Sequence, residues 1–181
     1  MEISLSAQQG ERHLTAAAFG ELYEATFDRI YSFVRYQVAD DALADDITAQ
    51  VYERVLHGYA RFDPQRGSLI NWLFGIARNV VREHRRQQRR QPTLPLDALR
   101  ERAHESRRPE QIVAERERSD RLLHAVAGLK PREREILALK FGAGMTNRQI
   151  AAVLDLSESN VGTIVYRALG RLRDELGVDD V

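Results

Sequence analysis

Gly67-Ser68-Leu69-Ile70-Asn71-Trp72-Leu73-Phe74-Gly75-Ile76-Ala77-Arg78-Asn79-Val80 is the stretch that decides how this chain is read. Ser68 suits the cap of a helix, because its hydroxyl can accept from an amide of the first turn. Leu69, Trp72, Leu73, Ile76, Ala77 and Val80 then recur at steps of three and four, which marks one apolar helical face. The other side carries Asn71, Arg78, Asn79, Arg82 and Arg85, and after Val81 the charge continues through Arg86, Arg89 and Arg90 while the apolar stripe fades. The pattern predicts a helix anchored at its start, with a basic end projecting into solvent.

Upstream, Phe19, Leu22, Tyr23, Phe27, Ile30, Tyr31 and Val34 give one face of a helix over about Thr15 to Arg35. Asp40 and Asp41 open a second, where acidic residues suit the helix dipole; Leu43, Ile47, Val51, Tyr52 and Val55 form its inner stripe. Gly58 and Phe62-Asp63-Pro64-Gln65-Arg66-Gly67 break the pattern and predict a loop. Trp72, flanked by Leu69, Leu73 and Ile76, reads as core.

Downstream, residues 91–109 hold three prolines and no apolar period, which predicts a linker long enough for two halves to sit apart. Glu110 begins another helix with Ile112, Val113, Leu122, Leu123, Val126 and Leu129. Pro131 fits a first helical position, and Glu133, Glu135, Ile136, Leu137, Leu139 and Phe141 continue that helix until Gly142 and Gly144 end it. Thr146 with Gln149 makes a capping box for a short helix through Leu154. After an Asp155-Leu156 turn, Ser157 caps the last helix, packed through Val161, Ile164, Val165, Ala168, Leu169 and Leu172. The fold class is all-α. Two small helical domains, 1–90 and 110–181, flank the linker 91–109, and the second contains a helix-turn-helix.

Composition narrows the function. The 181 residues include no cysteine, which excludes disulfides, thiolate catalysis and thiolate-bound zinc within the chain. The five histidines have no motif spacing, and paired carboxylates, a metal cluster or a nucleophile triad are not evident. An enzyme is the least favoured class, and neither metal nor cofactor is expected. There is no signal-like start and no long apolar run, so the chain reads as cytoplasmic, without membrane insertion. Net charge is zero, yet residues 1–75 balance at −5 and residues 76–91 at +5. The position of the charge, not its sum, points to a polyanionic partner.

Two constellations suit DNA. In the helix-turn-helix the second helix enters the major groove with its N-terminal part, leaving Glu158, Ser159, Asn160, Thr163, Tyr166 and Arg167 free of packing. Asn160 suits an adenine edge, while Arg167 or Arg171 can hold phosphate. The basic helix with its preceding loop suits an unstacked base held beside a strand backbone. Against these stand plainer readings: a helical hairpin whose polar face meets water, and a solvated charge run.

Taken together, these segments resemble the extracytoplasmic-function group of bacterial RNA polymerase sigma factors, in the sigma-70 family. Residues Gly67 to Asn79 are close to that group's G-S-L-x-x-W-L-x-x-I-A-R-N. Ala44-Asp45-Asp46-Ile47-Thr48-Ala49-Gln50-Val51-Tyr52 is similar to A-E-D-L-x-Q-E-V-F, and Leu129 to Leu139 resembles L-P-x-x-x-R-E-V-L-x-L. The resemblance implies that Asp45, Asp46, Gln50 and Glu53 face the β′ coiled coil of core RNA polymerase, with the β flap as a second contact. It implies that the loop bearing Phe62, Asp63, Arg66 and Ser68 captures a flipped base of a −10 element. Asn71, Arg78, Asn79, Arg82, Arg85 and Arg86 would then support strand opening. The helix bearing Glu158, Ser159, Asn160, Thr163, Tyr166, Arg167 and Arg171 would read a −35 element. Promoter DNA and an anti-sigma factor are the further partners implied.

The chain departs from the pattern at Ala49-Gln50, where Gln-Glu is usual, and at Gly162 and Ile164, where Lys and Arg are usual. Loss of two cations predicts weaker phosphate attraction, and Glu158 adds to that expectation. A stand-alone dimeric helix-turn-helix regulator is the alternative; an adaptor that binds polymerase without opening DNA is a third.

Overall fold

The computed structural model describes residues 14–38, 40–90 and 110–177, with side chains from residue 118 onward in the last of these. The expected linker 91–109 and the side chains of Ile112 and Val113 lie outside the described residues. All regular structure among the described residues is helical. The N-terminal domain holds α1 (Ala16–Val38), α2 (Asp41–Gly58), a 3₁₀ turn (Tyr59–Arg61) and α3 (Leu69–Arg90). The C-terminal domain holds α4 (Glu110–Gly128), α5 (Pro131–Leu137), a π-turn (Ala138–Gly142), α6 (Asn147–Leu154) and α7 (Glu158–Leu176).

The helix starts follow their caps. Asp40 Oδ1 accepts from the Leu43 amide at 2.7 Å, and Ser68 Oγ accepts from Asn71 at 3.3 Å. Thr146 and Gln149 form the full capping box, with amide-to-side-chain distances of 3.2 and 2.9 Å. Ser157 accepts from the Asn160 amide at 3.2 Å. Between α6 and α7, Asp155 adopts the left-handed conformation at φ 54°, which a short polar side chain tolerates best. The Leu156 amide then closes the turn on Ala151 O at 3.0 Å. A helix-turn-helix results.

The halves do not sit apart. One apolar core runs through both: Ile30, Phe33, Val34, Leu73, Phe74 and Ala77 from the first are continuous with Leu139, Ala143, Met145 and Ile150 from the second. Tyr36 of α1 also packs on the smaller cluster between α4, α5 and α7. Linker length sets only the reach of a connection and says nothing about whether apolar faces will find each other, so the sequence left the arrangement of the two halves open. The joint is close: a Cβ built on Gly142 would lie 3.0 Å from Ser32 C and O and Phe33 N. Gly142 therefore does more than end a helix; its missing side chain lets the π-turn meet the α1 backbone. Arg29 spans the same joint, donating to Ala143 O at 2.8 Å with its guanidinium 5.7 Å from the centre of the Phe74 ring.

Two smaller expectations also change. Leu169, placed in the packed stripe of the last helix, is exposed, as is Phe141 at the π-turn. Phe74, which lies beside the stripe used to define α3, is fully buried, because α1 covers a wider arc of that helix than one stripe.

Candidate nucleic-acid interface

The loop before α3 is built on an aromatic wedge. Trp72, half-buried, lies 5.4 Å from Phe62 and 6.3 Å from Tyr59 between ring centroids. Phe62 is buried, so of the residues expected to contact a flipped base it supports the loop from beneath. Asp63, Arg66 and Ser68 are exposed. Asp63 Oδ1 accepts from Gln65 N at 3.0 Å and its carbonyl accepts from Arg66 N at 3.0 Å, folding the loop on itself. Gly67, at φ 154°, takes a conformation that L side chains rarely adopt, which lets the turn enter α3 directly.

The arginines of α3 divide sharply. Arg86 is exposed, and Asn79 with it. Arg78 is held by the other half: its Nε donates to Glu135 Oε1 at 2.8 Å and its Nη1 to Val153 O at 2.7 Å. Arg82 donates to the same carboxylate oxygen at 3.3 Å, and Arg132 donates to Glu135 Oε2 at 3.3 Å. Arg85 donates to Gln37 O at 3.0 Å and also to Gln37 Oε1. Burial, then the neighbouring charge of Arg134, pulls the Arg85 pKa down to about 10, and the group stays charged at neutral pH. The expected solvent-projecting basic end is thus covered at Arg78 and Arg85. Sequence reasoning missed Glu135 in this role; it was read only as part of a helical pattern, and no spacing rule links it to a helix more than fifty residues upstream.

On the second candidate surface, Glu158, Ser159, Asn160, Thr163, Tyr166 and Arg167 are all exposed along α7, Tyr166 at 80%. Thr163 Oγ1 donates back to Ser159 O at 3.0 Å. Glu158 sits 3.7 Å from Arg148 Nε on α6, so its charge is partly met by an arginine that the single-helix reading overlooked. Arg171 is paired with Glu133. It braces α7 on α5.

The third surface is the outer side of α2, where Asp45, Asp46, Gln50 and Glu53 are exposed within two turns of one another. Among the described residues no three His, Asp or Glu side chains gather as a metal site. No helix among them is long and apolar enough to cross a membrane.

Residues 22–91 match the family description Sigma-70 region 2, and residues 119–172 match Sigma-70, region 4. Among curated relatives, the chain is 33% identical to the ECF RNA polymerase sigma factor BldN of Streptomyces coelicolor over 95% of its own length, and spans 64% of that relative's length. It is 31% identical to the ECF RNA polymerase sigma factor SigC of Mycobacterium tuberculosis, covering 98% of this chain and 89% of the relative. Among solved structures it resembles CnrH, seen in complex with the cytosolic domain of CnrY. That match has a TM-score of 0.64 and 25% identity over 92% of each chain. Both regions in order on one chain, with a relative matched almost end to end, place this protein in the extracytoplasmic-function group of the sigma-70 family of RNA polymerase sigma factors.

Proposed function

We propose that the chain is a promoter-specificity subunit: it binds core RNA polymerase through the acidic side of α2, opens DNA at a −10 element with α3 and its loop, and reads a −35 element with α7. The observation that carries this reading is the co-occurrence of both matched regions on one chain whose α2 and α7 carry solvent-exposed polar residues at Asp45, Asp46, Gln50 and Glu53 and at Ser159, Asn160 and Thr163. The domain boundaries 1–90, 91–109 and 110–181 belong to the same proposal. Polymerase fixes the distance between the halves, so two weak DNA contacts become one strong one through effective concentration. The packed halves supply a reason for weak binding by the free chain, since Arg78 and Arg82 of α3 meet Glu135 of the other half instead of phosphate. An anti-sigma partner is part of the proposal, consistent with CnrH having been solved as a complex.

Reconstitution with core polymerase on a promoter library tests the whole reading; a specific transcript supports it, and its absence with folded protein and active core rejects it. Asp45→Lys with Asp46→Lys should weaken core binding at least tenfold while leaving the melting temperature within about 2 °C, as exposed charges contribute little to stability. Unchanged core affinity would remove α2 from that role. Asn160→Ala should change the preferred upstream element by about 1–3 kcal/mol at one base position.

A further inference from the structure

Where α1, α3 and α5 meet, the two halves leave a cleft of about 490 Å³. Its charge is lopsided. Six arginines line it, five from α3 and Arg132 from α5, and Glu135 is the only carboxylate among the described lining residues. That carboxylate is already shared by Arg78, Arg82 and Arg132. Arg85, Arg86 and Arg89 have no ion pair among the described residues, and Gln37 Nε2, on a side chain 3% exposed, has no acceptor. Buried donors without acceptors are costly, and converging like charges raise that cost. What such a site lacks is acceptor oxygens and negative charge.

We propose that this cleft is a binding site for a small organic polyphosphate of nucleotide size, which clamps the two halves together. Phosphate oxygens suit the planar guanidinium fork, which binds them in pairs. Phe33, Val81 and Pro131 give the same cleft an apolar wall against which a base or similar ring can lie. The volume falls within the roughly 300–1,000 Å³ of small-molecule sites. A nucleic-acid strand is disfavoured here because α5 closes one side. The walls come from both halves, so a ligand that binds only the packed form stabilises it by mass action and withholds Arg82 and Arg85 from DNA. Binding stands apart from the promoter reading; only the effect on transcription rests on it.

The test is isothermal titration of the full chain with GTP, ATP and inorganic tripolyphosphate in 150 mM salt, alongside thermal melts. Binding of any one at 1:1, with a raised melting temperature, is expected; nucleotides winning over tripolyphosphate identifies the ring as part of the ligand, and the reverse identifies a free polyphosphate. Arg132→Gln and Arg89→Gln should each weaken binding about tenfold, whereas Arg61→Gln, on the exposed 3₁₀ turn, should not. These outcomes differ from those of the transcription test, since binding is read without polymerase or promoter. Multi-site binding, equal loss in all three variants, or no 1:1 binding by any probe at millimolar concentration overturns the proposal.

Discussion

Glu135→Ala should shift the two halves toward an open arrangement and increase affinity for single-stranded −10 DNA. Glu135 and Arg78 have side chains only 11% and 13% exposed, and removing one partner of a buried ion pair costs about 3–5 kcal/mol because the other charge is stranded. The chain can avoid most of that cost by letting the C-terminal half swing away from α3, which stays packed on α1 and α2 and leaves Arg78 hydrated and free for phosphate. Opening also exposes Leu139, Ala143 and Met145, so the substitution shifts the balance and does not complete the opening. Adding Gly142→Val should carry it further: the new side chain would meet backbone of α1 at 3.0 Å, which cannot rotate away. Small-angle scattering should show a larger radius of gyration, and affinity for the −10 strand should rise about tenfold for a net shift near 1.4 kcal/mol. Glu83→Ala is the contrast. Its bond to Arg54 is 2.6 Å long but both side chains are over 40% exposed, and such a pair contributes about 0–1 kcal/mol. An unchanged radius and unchanged DNA affinity in Glu135→Ala would show that the arginines of α3 are not restrained by this carboxylate.

Local features were readable from the chain because local physics determines them. The caps at Ser68, Thr146 and Ser157 each depend on residues within three positions, and each forms as the spacing implies. The apolar stripes of α1 and α2 likewise follow from a period of 3.6. The joint between the halves follows no such period. Arg78 and Glu135 are 57 residues apart, and each alone reads as an ordinary exposed charge on a helix. Gly142 reads as a helix stop, a role it shares with many glycines; its contact with Ser32 and Phe33 depends on how two domains dock. The family resemblance implied which surfaces would face polymerase and DNA in an assembled complex. It did not indicate that in the free chain one of those surfaces is covered by the chain itself. Glu158 shows the same limit at shorter range, since Arg148 approaches it across a turn that brings two helices together.

Trp72→Ala should have the largest effect on stability and should impair strand opening more than core binding. Removing a large aromatic from a packed site costs about 3–5 kcal/mol, which for a chain of this size corresponds to a fall in Tm on the order of 10 °C. Where the loss falls matters more than its size. Trp72 touches the wedge of Tyr59 and Phe62, and a Cβ on Gly58 would lie 3.5 Å from its ring, so the indole joins the end of α2 to the start of α3. Without it, Phe62 loses its platform, and the loop carrying Asp63, Arg66 and Ser68 loses its fixed position over α3. The outer side of α2, facing away from the wedge, should keep its hold on polymerase. Trp72→Phe restores part of the ring area and should recover about half of the lost stability, with opening recovering in step. Trp72 is the only tryptophan in the chain, so its fluorescence in the unaltered protein reports on this loop alone. Adding a −10 strand should change that emission, while adding a −35 duplex should leave it unaltered. If Trp72→Ala opened promoters as well as the unaltered protein at a temperature where both are folded, the loop would not depend on the wedge. Base capture would then have to be assigned elsewhere on α3.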